Sequence, residues 1–161
     1  IRPGDTWKYL ADGSDQGTAW RDAGFDDAGW NEGPAPLGYG AGNQATEVAF
    51  GPDADNKYVT TYFRKTFTVG DPADYASLTG ALTYDDGAIV YLNGSEVFRI
   101  NMPAGAVSFD ALASDAADYG PAPLALNLNQ LLPGVNVVAV EIHQGNVASS
   151  DVIFDLLLEG E

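Results

Sequence analysis

The run Tyr84-Asp85-Asp86-Gly87-Ala88-Ile89-Val90-Tyr91-Leu92-Asn93-Gly94-Ser95-Glu96-Val97-Phe98-Arg99-Ile100 holds two β-prone segments on either side of Asn93-Gly94. Both central residues of a type I′ turn need positive φ, which Asn and Gly tolerate, so Asn93-Gly94 predicts a two-residue hairpin. Such a turn sets register, placing Leu92 opposite Ser95, Val90 opposite Val97, Ala88 opposite Arg99 and Asp86 opposite Asn101.

Outward from this hairpin, 19 glycines and 9 prolines cut the chain into short pieces rich in β-branched and aromatic residues. That pattern predicts an all-β fold, a sandwich or barrel. Further strands are expected at 6–10, 60–69, 77–84, 124–127, 136–143 and 152–159. In the last, Val152, Phe154, Leu156 and Leu158 share a core face, and Asp151, Ile153, Asp155, Leu157 and Glu159 take a mixed one. Acidic, Gly-rich loops lie at 12–17, 22–30, 33–51 and 110–123, with one short turn capped by Asp26 expected in 25–30. No repeat, linker or composition break appears, so residues 1–161 read as a single β-sandwich domain with long loops.

Seven basic residues against 23 acidic ones give a net charge of −16. This repels nucleic-acid phosphates and anionic lipid heads, so neither nucleic acid nor membrane insertion is expected. The longest apolar runs fall far short of the ~20 residues of a membrane helix. An apolar content of 45 % supports a full core. Without cysteine there is no disulfide or thiolate site, and one histidine cannot build a usual zinc site. Beginning at Ile1 with no leader pattern, the chain reads as an excised module or a mature product.

Four stretches carry a family resemblance: Phe25-Asp26-Asp27-Ala28-Gly29-Trp30, Tyr62-Phe63-Arg64-Lys65-Thr66-Phe67, Tyr84 through Gly94, and Leu132-Pro133-Gly134-Val135-Asn136-Val137-Val138-Ala139-Val140-Glu141. In this order they resemble the jelly-roll sugar-binding domain of family 2 glycoside hydrolases and the wider galactose-binding-like β-sandwich superfamily. Glu141-Ile142-His143-Gln144 ahead of Ser149-Ser150-Asp151 is also similar to modules of large secreted bacterial proteins. The resemblance implies an antiparallel jelly roll, extracellular or at the cell surface and tethered to catalytic or surface domains. It serves binding, adhesive and purely structural roles alike.

It also implies that strand 136–143 lies antiparallel beside 88–92. Asp85, Asp86, Arg99, Asn101, Glu141, His143, Gln144 and Asp151 then converge at one strand end. Planar guanidinium, carboxylates and amides supply the donors and acceptors that hydroxyl-rich ligands need. The same groups equally make an ion-pair network that ties strand ends, and both readings stand. A hydrolase is not expected: adjacent Asp85 and Asp86 point to opposite strand faces, and Ser149 and Ser150 lack a nucleophile elbow.

Calcium is a possible structural cofactor, with Asp12, Asp15, Asp53 and Asp55 as candidate ligands and Asp115 and Asp118 as further loop carboxylates. Asp12 to Gly17 resembles the start of an EF-hand loop, but its twelfth position would be Ala23 instead of glutamate. Among aromatics, Trp30 is expected to anchor its loop, while Trp20, Tyr39 and Tyr119 in polar or Gly-rich segments are candidate sugar-stacking platforms. Asn93-Gly94-Ser95 matches a glycosylation sequon but is better explained by the turn. Residues and resemblance together predict a non-catalytic carbohydrate-binding module of a secreted bacterial multidomain protein, for neutral or calcium-bridged polysaccharide or oligosaccharide, or alternatively a structural or adhesive spacer with no soluble ligand. An exposed aromatic beside the cluster favours the first; a cluster sealed under loops favours the second.

Overall fold

A computed structural model describes residues 1–116 and 120–161. Among them are strands β1 (Thr6–Leu10), β2 (Asn31–Pro34), β3 (Leu37–Tyr39), β4 (Thr46–Glu47), β5 (Thr60–Val69), β6 (Leu78–Asp85), β7 (Gly87–Leu92), β8 (Ser95–Ile100), β9 (Ala122–Leu126), β10 (Gly134–His143) and β11 (Val152–Gly160). They form a β-sandwich consistent with a jelly roll, one sheet ordered β2-β1-β5-β10-β7-β8 and the other β4-β3-β11-β6-β9. Neighbours are antiparallel except β3 and β4. No helix among the described residues is long and apolar enough to cross a membrane.

The core between the sheets takes alternate residues from each strand, as the pleat requires. Trp7, Phe63, Val90, Val138 and Val140 meet Leu37, Leu82, Tyr84, Phe154 and Leu156. Phe154 is the hub, stacked on Phe63 at 4.2 Å and edge-on to Trp7 at 4.8 Å between centroids. Each such pair adds about 0.5–1.5 kcal/mol beyond the area it buries. The core face expected for β11 is the one observed.

The hairpin turn is in place, with Asn93 at φ 51° and Gly94 at φ 85°. Its register is not the one read from the sequence. Leu92 faces Ser95 and Tyr91 faces Glu96, but then Val90 pairs Phe98, Ile89 pairs Arg99 and Ala88 pairs Ile100. A bulge at Val97 causes the slip, and it turns both Val97 and Phe98 toward the core, which strict alternation forbids. The expected pairs of Val90 with Val97, Ala88 with Arg99 and Asp86 with Asn101 are therefore corrected.

β6 and β7 belong to different sheets. Asp85 closes β6 and Asp86 occupies the step to β7. Strands β3 and β4 and the end of β2 lie in 33–51, a segment expected to be loop, where glycines and prolines hid them. The larger sheet is also buried on its outer face, where segments 11–30 and 101–116 lay Trp20, Trp30, Met102 and Ala113 over Tyr62, Ile89, Tyr91 and Ala139. That double burial explains why all six residues of β7 are buried.

Candidate functional site

β10 brings Glu141 and His143 to the outer face of the larger sheet, two residues apart and so on the same side. Gln144 follows, and the step at Asp86 lies alongside, its N–H donating to the His143 carbonyl at 3.3 Å. Asp85, Asp86, Glu141, His143 and Gln144 are all between 0 and 3 % exposed. The histidine ring is held by loop backbone. Its Nδ1 is 2.7 Å from the Ala111 carbonyl, which can only accept, so Nδ1 carries the hydrogen. The Thr60 hydroxyl, 3.0 Å from the same nitrogen, donates to the Phe109 carbonyl. Nε2 faces the Glu141 carboxylate at 3.4 Å.

Glu141 is the centre of this network. Its Oε1 accepts from the Tyr91 hydroxyl at 2.6 Å and lies 3.5 Å from Arg21. The Arg21 guanidinium sits 4.1 Å from the Tyr91 ring centroid. Burial first, then the Glu141 charge and the hydrogen bond to it, pushes the Tyr91 hydroxyl well above its ordinary range. Tyr62 is raised in the same way by burial and then by Glu141.

Arg64 closes the cover over this network. Buried in β5, it donates Nε to Asp27 at 2.8 Å, its guanidinium NH2 groups to the Asp22 carbonyl at 3.2 Å, and one of them to the Trp20 carbonyl as well. Three acceptors on one loop are thus fixed by one side chain, a role that reading the sequence missed. An Arg-Lys pair inside a run of threonines and aromatics was the available signal.

Other expected members go elsewhere. Arg99, shifted by the bulge, forms a bidentate pair with Glu96 at 2.8 and 2.7 Å and holds the carbonyls of Pro103 and Gly105. That hydrogen bond keeps the Glu96 carboxyl below its usual range. Asn101, at φ 52°, stays with the cluster, donating to the Asp86 and Asp115 carbonyls at 2.8 and 2.9 Å. The Asp86 carboxylate accepts from Gly145 N–H at 2.6 Å. Gln144 donates to the Tyr39 hydroxyl. Burial, reinforced by the charges of Asp151, Asp85 and Asp86 and opposed by the Gln144 bond, pushes Tyr39 up to about 12. Asp151 accepts from the Ser150 hydroxyl, and with Asp86, Asn146 and Ser149 it borders an open acidic depression.

Neither described platform candidate is a platform. Trp20 is fully buried, because a 3₁₀ turn at Ala19–Arg21 swings it edge-on to Tyr62 and Tyr91 at 4.8 and 5.8 Å. Tyr39 is buried in the core between the sheets. Tyr119 and Asp118 lie outside the described residues. Trp30 anchors its loop as expected, and Asp26 caps the turn by accepting from Ala28. The Asn93 amide is fully used within the fold, bonding Gln130, Asn136 and Val137.

The calcium candidates do not gather. Asp12, Asp15 and Asp53 each turn a carboxylate oxygen onto the N–H two residues on, and Asp55 follows Asp53 in the same turn. Among the described residues no three histidine or carboxylate groups converge as a metal ion requires.

This architecture, two packed sheets in a sandwich consistent with a jelly roll, is shared with parts of several solved glycosidases. No protein-family model and no curated protein sequence matches the chain. Solved structures do. A Bacteroides uniformis β-glucuronidase 2 bound covalently to cyclophellitol-6-carboxylate aziridine is similar over 94 % of this chain and 17 % of its own, at 18 % identity and TM-score 0.60. A Bacteroides vulgatus β-glycosidase is similar over 98 % of this chain and 20 % of its own, at 17 % identity and TM-score 0.57. A β-D-mannosidase from Dictyoglomus thermophilum gives 89 % and 15 %, at 15 % identity and TM-score 0.52. The chain thus spans a fifth or less of the length of these enzymes, and the likeness is one of fold.

Proposed function

We propose that this domain is a non-catalytic accessory module of a larger, extracellular, glycan-directed protein, and that it binds neutral carbohydrate. The observation that carries the non-catalytic part is the sealing of its one histidine: His143 is fully buried, with both ring nitrogens facing groups of the fold. Ser150 donates to Asp151, whereas His143 is engaged by Ala111, Thr60 and Glu141 rather than by a serine. The glycan-directed part is supported by the likeness to a fifth or less of several glycosidases, where a β-sandwich is one piece of a multidomain chain. The excess of carboxylates favours uncharged ligands over uronates or sulfated glycans.

The strand-end cluster, in this reading, is a tie between β10, the step at Asp86 and the covering loops. A second reading, a spacer without soluble ligand, is favoured by the same sealing and by the burial of Trp20. Affinity electrophoresis on neutral polysaccharides, in calcium and then in chelator, separates the two. Retardation by a neutral glycan is the expected result, and mobility unchanged across the panel leaves the spacer. Calcium as a structural cofactor predicts that chelator lowers the midpoint of thermal unfolding; an unchanged midpoint removes it.

A further inference from the structure

A cleft of about 330 Å³ opens directly above the tie, lined by Gly13, segment 52–60 and Phe109-Asp110. It falls at the lower end of the ~300–1,000 Å³ of small-molecule sites, and its lining matches theirs: an apolar wall with a few polar groups on the rim. Tyr58, Val59 and Phe109 are half-buried walls, Thr60 is the buried floor, and Asp53, Asn56 and Asp110 are the exposed rim.

The walls are fixed. Tyr58 donates its N–H to Phe50, and its ring sits so close to Gly13 that a Cβ there would fall 2.4 Å from Cδ1. Lys57 is spent on the carbonyls of Ala54 and Ser149 at 2.7 and 2.8 Å. The Thr60 hydroxyl binds the Phe109 carbonyl above and meets His143 below. The tie therefore holds the cleft in shape without lining it. The rim is only partly used. Asp53 and Asp110 each commit one oxygen locally, to Asp55 N–H and the Ser108 hydroxyl, whereas no hydrogen bond among the described residues engages the Asn56 side-chain amide or the Tyr58 hydroxyl.

We propose that this cleft is the carbohydrate site, and that its ligand is an uncharged pyranose unit of a neutral glycan. Two rim carboxylates oppose an anionic guest, and the Lys57 ammonium in the wall opposes a cationic one. Mixed free donors and acceptors suit hydroxyls, which both give and take hydrogen bonds, while the aromatic wall suits the apolar face of the ring. The assignment rests on the carbohydrate-binding reading above and names where it happens.

The test is a two-dimensional amide NMR titration of the 161-residue chain with gluco-, galacto-, manno- and xylo-oligosaccharides and with oligogalacturonate. The expected result is shifts at Gly13, Asn56, Tyr58 and Asp110 with a neutral oligosaccharide, weakened about tenfold in Kd by combined Asn56→Ala and Tyr58→Phe. Neither group bonds another described residue, so thermal stability of that variant should match wild type. Shifts confined to another surface, or affinity unchanged in the variant, overturn the cleft and leave the accessory reading intact. Oligogalacturonate binding at least as tightly as any neutral glycan overturns the ligand class. Silence across the whole panel overturns both.

Discussion

Thr60 separates two regions built from similar groups and put to opposite use. Beneath it, Tyr91 and Arg21 engage the Glu141 carboxylate, and His143 bonds loop backbone through Nδ1, under the loops fixed by Arg64. Above it, Asn56, Tyr58 and Asp110 line an open cleft, and among the described residues the Asn56 amide and the Tyr58 hydroxyl have no bond within the fold. Each combines a tyrosine with a carboxylate. What differs is whether their partners lie inside the chain, because a buried polar group costs about 1–3 kcal/mol unless paired, whereas an exposed one rests on water until a ligand replaces it. A converging set of charges marks a ligand site only when some of its bonding capacity is left over.

The hardest way to break this contrast is to unseal the lower region. Arg64→Ala leaves the Trp20 and Asp22 carbonyls and the Asp27 carboxylate without their donor, a loss of about 3 kcal/mol or more. Urea unfolding should show it, and Trp20 emission should shift to the red in the folded state. An unshifted spectrum with full stability would mean that the loop holds without its clasp.

Next in size is Glu141→Gln, which keeps an oxygen for Tyr91 but removes the charge beside Arg21 and His143. About 1–3 kcal/mol of stability should be lost. Glycan retardation, compared at a temperature where the variant is fully folded, should persist. A variant that is stable but no longer retarded would move the ligand back to the cluster.

How much of this was readable in the sequence follows from which contacts are local. β1 and β5 were legible to their end residues, and the Asn93-Gly94 turn by its chemistry, since propensity and turn type are written over a few positions. The bulge at Val97 was not, because it answers to core partners contributed by other strands. Trp20 looked exposed among Ala19 and Arg21, yet its burial depends on an arginine 44 positions away. Of the site, the approach of His143 and Gln144 to Asp86 was legible from the resemblance, while Asn101 reaches the Asp86 carbonyl in a register that the bulge has changed. Its closure was not: a strand covered on both faces, such as β7, shows no alternation to reveal which side a loop will cover. The cleft escaped for the same reason, since Gly13, Tyr58 and Phe109 come together only through tertiary bonds.

Asp155 offers the finest test of the principle. It is buried like Glu141 but accepts only backbone N–H groups, from Gly4 at 3.2 Å and Leu156 at 2.8 Å. Burial outweighs those bonds and raises its carboxyl above the ordinary 3.8. A raised acid binds its proton more tightly in the folded state, so the charged form costs stability above the raised value and costs nothing below about 3.8. Asp155→Asn removes that cost while keeping one acceptor oxygen. The stability difference between variant and wild type should therefore be most favourable to the variant at neutral pH, and should shrink as pH falls through the acid range. A difference independent of pH would show that two backbone N–H bonds suffice to hold a buried charge.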